Sequence, residues 1–201
     1  MSLQSQWRQH LEGVPQFADS RHLSDVQLLQ TLGLDISHPE GWFFPDTYSY
    51  TGGDSIADLL LRAHRKMLDT LDKAWLLKAK DLPYSSAYEA LIMASIVEKE
   101  TGLAAERAAI AGVFVRRLRL GMRLQTDPTV IYGLGNQFSG NLRRSHLKQK
   151  TAYNTYVIGG LPPTPIAMPS AAAIYAALHP ADGGSLYFVA RGDGGHYFSS
   201  T

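Results

Sequence analysis

The chain has 201 residues, of which 45% are hydrophobic and 18% are charged, and its formal net charge is +1. A chain of this length can bury an ordinary core, and its apolar content excludes intrinsic disorder. The balanced charge gives no basis for a nucleic-acid-binding protein. Because the sequence has no cysteine, disulfides, thiolate metal sites and cysteine nucleophiles are excluded. No apolar run reaches the roughly 18 residues that a membrane-spanning helix needs.

Capping residues and hydrophobic periodicity predict helices along most of the chain. We expect these helices over residues 6–12, 24–32, 55–80, 87–101, 106–120, 127–132 and 171–178. Asp54 is the expected N-cap of the third helix, and Ser86 with Glu89 forms a capping-box pattern ahead of the fourth. Asp127 and Pro128 are the expected N-cap and first position of the sixth.

The remaining segments predict turns and a small amount of sheet. Residues 39–50 and 133–147 are rich in turn-forming residues and are expected to be irregular. The four prolines of 160–169 require an extended chain. The clearest strand signal is a hairpin, in which 185–190 and 196–200 flank a glycine-rich turn. The fold class is therefore α+β, mainly helical, with a small antiparallel sheet and a C-terminal β-hairpin.

The predicted helix over 87–101 is strongly apolar until its last turn, which carries Glu98, Lys99 and Glu100. At about 100° per residue, Glu100 lies near the line of Met93 and the apolar residues one turn before it. A helix this uniformly apolar is expected to be buried on most sides. At least one of the three charges should then face a cleft rather than open water.

Two effects predict a raised pKa for Glu100. Apolar neighbours disfavour the charged carboxylate by desolvation, and the negative end of the helix dipole acts in the same direction. A glutamate that stays protonated near neutral pH can donate its proton to a leaving oxygen. The plainer interpretation is a helix that turns polar where it reaches the surface, with Lys99 paired locally. Spacing alone favours that interpretation, because charged last turns are common.

Gln125, Thr126 and Asp127 form a second candidate cluster. Amides, hydroxyls and carboxylates form hydrogen bonds with sugar hydroxyls, so these three residues could line a sugar-binding cleft. The alternative is that Asp127 only caps a helix and that Gln125 is an ordinary surface residue. The pattern by itself favours the capping role for Asp127.

Tyr153, Asn154 and Tyr156 offer aromatic faces beside hydrogen-bonding groups, which is a usual lining of carbohydrate grooves. Alternating residues of a half-buried strand over 153–158 would give the same pattern. The seven histidines show no metal-ligand spacing and no H-E-x-x-H motif. We therefore expect no metal and no cofactor.

Six motifs in one order resemble a known family. They are EGWFFPDTY at 40–48, IVEKET at 96–101, MRLQTDPTVIY at 122–132, YNTY at 153–156, GLPP at 160–163, and YFV at 187–189 with GGH at 194–196. Together they are similar to the YceG-like (MltG) endolytic murein transglycosylases, from about residue 6 to the end of the chain.

The resemblance implies a bacterial inner-membrane protein with one N-terminal transmembrane helix and a periplasmic body. In that family, a LysM-like subdomain precedes the catalytic domain. We accordingly expect residues 1–50 to lead from a missing LysM-like part, and residues 51–201 to be the catalytic transglycosylase domain. The membrane anchor is expected to lie outside this chain.

The family's catalytic glutamate directly precedes a threonine, which identifies Glu100 here because Thr101 follows it. The pKa argument agrees, although alone it does not exclude Glu98. The implied reaction cleaves the β-1,4 bond between N-acetylmuramic acid and N-acetylglucosamine, leaves 1,6-anhydro ends and terminates nascent glycan strands. The candidate substrate-binding residues are Glu98, Gln125, Thr126, Asp127, Tyr153, Asn154 and Tyr156. The implied partners are peptidoglycan glycan strands, peptidoglycan synthases and penicillin-binding proteins.

Two other functions remain open at this point. The first is a muramidase-type hydrolase, in which Glu100 is the acid and a second carboxylate is the base or nucleophile. The second is a peptidoglycan-binding module without turnover. The products separate the first from a transglycosylase, since hydrolysis leaves a reducing end and transglycosylation leaves an anhydro end.

Overall fold

The computed structural model describes residues 24–201 together with Gly13. The helix predicted over 6–12 lies outside the described residues. The helices are α1 (Asp25–Thr31), α2 (Ile56–Leu76), α3 (Ala87–Glu100), α4 (Arg107–Arg119), α5 (Asp127–Leu134), α6 (Arg144–Lys148) and α7 (Ala171–Leu178). The strands are β1 (Tyr187–Ala190) and β2 (His196–Ser199), and short 3₁₀ turns span Ala104–Glu106 and Gly135–Gln137. The predicted α+β class is confirmed. Within the described part, no helix combines the length and apolar character needed to cross a membrane.

Helix α3 is the centre of the fold. All of residues 90–97 are buried, as expected for a helix with no polar face. Helices α2, α4, α5 and α7 all pack against it. The core that surrounds it includes Phe114 of α4, Ile174 of α7, and Leu124 from the segment before α5. The prediction that this helix is buried on most sides is confirmed, and its polar last turn is where it leaves the core.

The start of α2 differs from the prediction by one residue. Ser55, not Asp54, is the N-cap: its hydroxyl accepts from the Asp58 N–H at 3.1 Å, and the Asp58 carboxylate accepts from the Ser55 N–H at 2.9 Å. This reciprocal pair is a capping box. The Asp54 carboxylate accepts from the Thr51 N–H instead, at 2.8 Å. The helix also ends at Leu76 rather than near residue 80.

The predicted N-cap Ser86 is confirmed, and the other capping details at the starts of α3 and α5 differ slightly from the prediction. The Ser86 hydroxyl accepts from the Glu89 N–H as expected, but the Glu89 carboxylate accepts from the N–H of Ser85, one residue earlier than a capping box requires. Thr126 is the N-cap of α5, so Asp127 lies inside its first turn. An acidic residue there still interacts favourably with the positive end of the helix dipole.

The alternative of a strand over 153–158 is wrong, because this segment forms turns. The reason is the fully buried side chain of Asn154. Its amide donates to the carbonyls of His146 at 3.1 Å and Gln149 at 2.7 Å, which wraps the preceding loop around it. The prediction that 133–147 is entirely a loop is also wrong, because this range contains a 3₁₀ turn and most of α6.

The C-terminal hairpin is confirmed. Strands β1 and β2 are antiparallel, with Phe188 opposite Phe198 and Ala190 opposite His196. Phe188 packs edge-on against Phe114 of α4, with ring centroids 5.6 Å apart. The Arg117 guanidinium of α4 also donates to the Leu186 carbonyl, at 2.6 Å. These contacts fix the hairpin on α4 and bring His196 near the end of α3.

The segment 39–50 is irregular, as predicted, and packs closely on the rest of the fold. Trp42 stacks on Tyr88 at 5.4 Å, with an angle of 9° between the rings. Gly41 has a φ of +86°, and a Cβ there would lie 2.6 Å from Pro165, so only glycine suits this position. The expected domain boundary near residue 50 stays a prediction.

Candidate active site

A pocket of about 230 Å³ opens at the C-terminal end of α3. Its lining comes from α3, α4, the segment before α5 and the first turn of α5, the turns after α6, and the hairpin. The lining residues are Glu100, Arg117, Leu124, Gln125, Asp127, Tyr156, Phe188, Ala190 and His196. Polar and titratable groups converge here beside apolar walls, which is the usual composition of a small-molecule site.

A larger groove of about 640 Å³ lies between α2, the start of α4 and α7. Half of its lining residues are alanines, and the others include Leu77, Tyr175 and the charged residues Asp69, Lys73 and Arg107. We place the candidate active site in the smaller pocket, because a carboxyl group with a strongly altered environment is found there.

Glu100 is the last residue of α3 and is partly buried. Burial raises the pKa of the Glu100 carboxyl above its ordinary value, and the nearby charge of Asp127 acts in the same direction. The Thr126 hydroxyl donates to Oε1 of Glu100 and opposes the shift, as does His196. The net direction is upward, so the desolvation effect expected from the sequence is confirmed. A carboxyl group of this kind can act as a general acid.

The Thr126 hydroxyl is held in place by buried hydrogen bonds. The Thr126 N–H donates to Oγ1 of Thr155 at 3.1 Å, and its carbonyl accepts from the Thr129 hydroxyl at 2.7 Å. The preceding residue, Gln125, has a φ of +52°, and its N–H donates to the Thr155 carbonyl at 3.2 Å. A left-handed non-glycine residue costs about 1–3 kcal/mol and persists only where its surroundings enforce it. Here it positions Thr126 against Glu100.

Tyr156 and Asp127 form a hydrogen-bonded pair at the mouth of the pocket. The Tyr156 hydroxyl donates to Oδ1 of Asp127 at 2.6 Å. Burial raises the pKa of the Tyr156 phenol, and the bond to Asp127 adds to the effect. Tyr156 therefore remains a protonated donor, which fixes one oxygen of Asp127 and leaves the other open to a ligand.

Glu106 and His196 form a second pair on the hairpin side. Nδ1 of His196 lies 2.8 Å from Oε2 of Glu106, and the His196 backbone N–H donates to Oε1 at 3.0 Å. These hydrogen bonds lower the pKa of the Glu106 carboxyl. The His196 ring also packs edge-on against Phe188, with centroids 5.2 Å apart. Sequence reasoning considered His196 only as a metal ligand, although its motif at 194–196 was among those that carried the resemblance.

Arg117 also lines the pocket, and the sequence analysis did not predict it as a site residue. It is only 7% exposed. Its Nη1 donates to the Leu124 carbonyl at 2.8 Å, and its guanidinium lies over the Tyr187 ring, 4.9 Å from the centroid. It thus connects α4 to the chain before Gln125 and to the hairpin. Arg117 is one of three arginines in the last turn of α4. A basic last turn is common in helices, so the sequence did not indicate a separate role for Arg117.

Four predicted site residues do not line the pocket. Thr126 is one of them, although its hydroxyl bonds Glu100. Glu98 accepts from the backbone N–H and the hydroxyl of Ser170, at 3.0 and 2.6 Å. The Tyr153 hydroxyl is 2.8 Å from Oγ1 of Thr164, and Asn154 is fully buried. The structure therefore brings together Glu100, Gln125, Thr126, Asp127 and Tyr156. It gives Glu98, Tyr153 and Asn154 contacts that support the surrounding fold.

Among residues 24–201, no group of three or more histidine and acidic side chains is arranged to hold a metal ion.

Comparison with known proteins identifies the family. The model of the YceG-like family matches residues 3–201, so the chain belongs to this family. A protein of Bacillus subtilis (strain 168) named endolytic murein transglycosylase is 37% identical over 168 residues, which cover 83% of this chain and 46% of that protein. A protein of the same name from Streptococcus pneumoniae serotype 2 is 35% identical over 159 residues, which cover 75% of this chain and 28% of that protein. The chain thus spans less than half the length of these relatives.

A solved structure supports the fold. The crystal structure of a YceG-like protein from Listeria monocytogenes matches with a TM-score of 0.69 and 32% sequence identity. The match covers 98% of this chain and 64% of the Listeria chain.

Proposed function

We propose that this chain is the catalytic part of a lytic transglycosylase that cleaves peptidoglycan glycan strands, with Glu100 as its acid and base. The observation that carries the proposal is the Glu100 carboxyl, whose pKa is raised by burial and whose Oε1 accepts from the rigidly held Thr126 hydroxyl. The names of the Bacillus and Streptococcus relatives support the same reaction.

In the first step, protonated Glu100 donates its proton to the oxygen of the β-1,4 bond between N-acetylmuramic acid and N-acetylglucosamine. The bond breaks through an oxocarbenium-like transition state. The acetamido oxygen of the muramic sugar can assist at this stage. Thr126 leaves one carboxyl oxygen of Glu100 free for the transfer, since its hydroxyl bonds only Oε1.

In the second step, Glu100 is a carboxylate and removes the proton from the C6 hydroxyl of the same sugar. The C6 oxygen closes on the anomeric carbon, and the product is a 1,6-anhydromuramyl end. No water is consumed, and Glu100 regains its proton. One carboxyl group therefore serves both steps.

The exposed groups of the pocket are the proposed substrate contacts. Gln125 and Asp127 are exposed and Tyr156 is partly exposed, and all three can bond sugar hydroxyls or acetamido groups. Thr126 acts by orienting Glu100. Glu98, Tyr153 and Asn154 were also predicted to bind substrate, and their contacts suggest that any effect on binding would be indirect.

The biological setting follows from the family resemblance. We propose a protein anchored in the bacterial inner membrane by a single N-terminal helix, with its catalytic part in the periplasm. Residues 51–201 would form the catalytic domain, and residues 1–50 would connect it to a LysM-like part. Cleavage there would terminate nascent glycan strands, with peptidoglycan synthases and penicillin-binding proteins as partners.

The second candidate function is a muramidase-type hydrolase. The presence of Asp127 in the same pocket as Glu100 favours it, because hydrolysis uses a second carboxylate to activate water or to attack the sugar. The bond from Tyr156 occupies one oxygen of Asp127 and weakens it as a base.

The test is to digest uncrosslinked glycan strands with the wild-type protein and with Glu100→Gln, and to identify the new ends by mass spectrometry. The proposal predicts anhydromuramyl ends from the wild type and none from Glu100→Gln. Reducing ends would support the hydrolase. Glu98→Gln is the matched control, since it alters a glutamate in the same helical turn that lies outside the pocket. Anhydro ends from Glu100→Gln at the wild-type rate would exclude Glu100 as the acid.

A further inference from the structure

The Glu106–His196 pair fixes the orientation of an imidazole at the edge of the pocket and directs its Nδ1 hydrogen to Glu106. Glu106 binds this residue twice, through Nδ1 of the ring at 2.8 Å and through the backbone N–H at 3.0 Å. The ring also packs edge-on against Phe188. The bond at Nδ1 and the contact with Phe188 restrain the ring, so its two nitrogens keep distinct environments.

Nδ1 carries the hydrogen of this bond. The hydrogen bonds from His196 lower the pKa of the Glu106 carboxyl, so Glu106 is a carboxylate at neutral pH and can only accept. In a neutral imidazole whose Nδ1 is protonated, Nε2 has a free lone pair and is an acceptor. Within residues 24–201, Nε2 of His196 forms no hydrogen bond, whereas both atoms bonded to Glu106 are satisfied.

Glu106 holds only one nitrogen of the ring, Nδ1, and leaves Nε2 on an edge directed elsewhere. His196 lines the pocket together with Glu100 and Asp127, whereas Glu106 does not. Nδ1 is directed at Glu106, and the two nitrogens lie on different edges of the ring. The acceptor nitrogen is therefore available to a ligand that occupies the space beside Glu100.

We propose that Nε2 of His196 accepts a hydrogen bond from a hydroxyl or acetamido N–H of the sugar bound at Glu100. Glu106 is the positioning residue that keeps the hydrogen of the neutral ring on Nδ1. This inference rests on the proposed function, because it takes a glycan as the ligand. It adds to the pocket an acceptor on the hairpin side, separate from the Tyr156–Asp127 pair.

Three variants separate the roles of the two nitrogens. His196→Asn retains an amide that can donate to Glu106 near the position of Nδ1, but it has no group at the position of Nε2. His196→Gln places an amide oxygen or nitrogen near the position of Nε2. Glu106→Gln can donate to Nδ1 and so favours the tautomer with hydrogen on Nε2, which turns the acceptor into a donor.

The experiment measures the binding of a soluble, uncrosslinked glycan oligosaccharide to proteins that all carry Glu100→Gln, so that no cleavage occurs. We expect His196→Asn and Glu106→Gln to raise the Kd about threefold to tenfold, as for the loss of one hydrogen bond, and His196→Gln to recover part of the affinity. His179→Asn is the matched control and should leave the Kd unchanged, because His179 lies outside the pocket and bonds the Leu77 and Tyr175 carbonyls. Thermal melting of each variant identifies any that has failed to fold.

The ¹⁵N chemical shifts of the His196 imidazole give a second readout. The parent is the Glu100→Gln protein without further changes, and we expect its neutral His196 ring to carry the hydrogen on Nδ1. In the Glu106→Gln variant we expect this hydrogen on Nε2, a difference that a purely structural role would not require. A parent with its hydrogen on Nε2, or folded His196→Asn and Glu106→Gln proteins that bind the glycan as tightly as the parent, would overturn the inference alone. A parent that binds no glycan would overturn the proposed function and this inference with it.

Discussion

Glu98 accepts two hydrogen bonds from Ser170, one from its backbone N–H at 3.0 Å and one from its hydroxyl at 2.6 Å. Ser170 is the N-cap of α7, where its hydroxyl also accepts from the Ala173 N–H at 3.3 Å. Glu98 thus ties the last turn of α3 to the first turn of α7. Glu100, two residues later, is rotated by about 200° around the helix axis and lines the pocket. Two glutamates in one turn therefore have different surroundings.

This difference predicts that Glu98→Ala mainly affects stability. We expect the free energy of unfolding to fall by about 1–2 kcal/mol, because the backbone and hydroxyl donors of Ser170 lose a charged acceptor. Urea unfolding at neutral pH measures the change. The folded variant should still cleave glycan strands, whereas Glu100→Gln should not. A Glu98→Ala protein with wild-type stability and no cleavage would show instead that Glu98 acts in the site.

The raised pKa of Glu100 predicts that this residue makes the free energy of unfolding depend on pH. Burial makes the folded protein bind the Glu100 proton more tightly than the unfolded chain does, whose ordinary value is about 4.5. The contribution of Glu100 to the free energy of unfolding is therefore fully present when the pH is below the unfolded pKa. This contribution is lost as the pH rises through the higher pKa of the folded protein. Glu100→Gln is neutral at every pH and should not show this loss.

Urea unfolding of the wild type and Glu100→Gln at pH 4 and pH 7.5 tests the point. The variant should gain stability relative to the wild type on going to the higher pH. An unchanged difference between the two proteins would mean that the Glu100 carboxyl has an ordinary pKa in the fold.

The sequence predicted most of the helical framework because its signals are local. The apolar run over 90–97 and the glycine-rich turn after β1 each determine their element without help from distant residues. The errors have non-local causes. The turns at 153–158 depend on the buried amide of Asn154, which binds carbonyls five to eight residues away, and no alternation pattern reveals such a contact.

The candidate site was predictable only in part. Thr126 and Asp127 follow Gln125 directly, so one motif contained two residues that line the pocket and a third, Thr126, that bonds Glu100. Glu106 and His196 are separated by 90 positions, and only the packing of the hairpin on α4 brings them together. Periodicity also could not choose between Glu98 and Glu100, because the choice depends on the position of Ser170.

Ser95 joins α3 to the proline-rich segment before α7, and it predicts a large stability effect. Its hydroxyl donates to the Ile92 carbonyl at 2.7 Å and accepts from the Ile166 N–H at 2.9 Å, in a fully buried position. Ser95→Ala leaves the Ile166 N–H buried without a partner, so we expect a loss of about 1–3 kcal/mol in the free energy of unfolding. Ser145→Ala, at an exposed serine in α6, is the matched control for urea unfolding. Equal stability of the two variants would contradict the assignment.

Asp127 provides a test of the electrostatics of the site. Its negative charge raises the pKa of Glu100, so Asp127→Asn should lower that pKa. The acid form of Glu100 would then be lost at a lower pH, and the alkaline limb of the pH–rate profile for glycan cleavage should move to lower pH. Asp72→Asn, at an exposed position on α2, is the matched control and should leave the limb in place.

The same variant separates the two candidate reactions. In a transglycosylase, Asp127→Asn should keep some cleavage with anhydromuramyl ends, because Glu100 alone performs both proton transfers. In a hydrolase that uses Asp127 as its base or nucleophile, the loss of that carboxylate should reduce turnover by about a hundredfold or more, since one general base contributes roughly 10²–10⁴-fold. An alkaline limb that stays in place, with cleavage retained, would show that the charge of Asp127 does not act on Glu100.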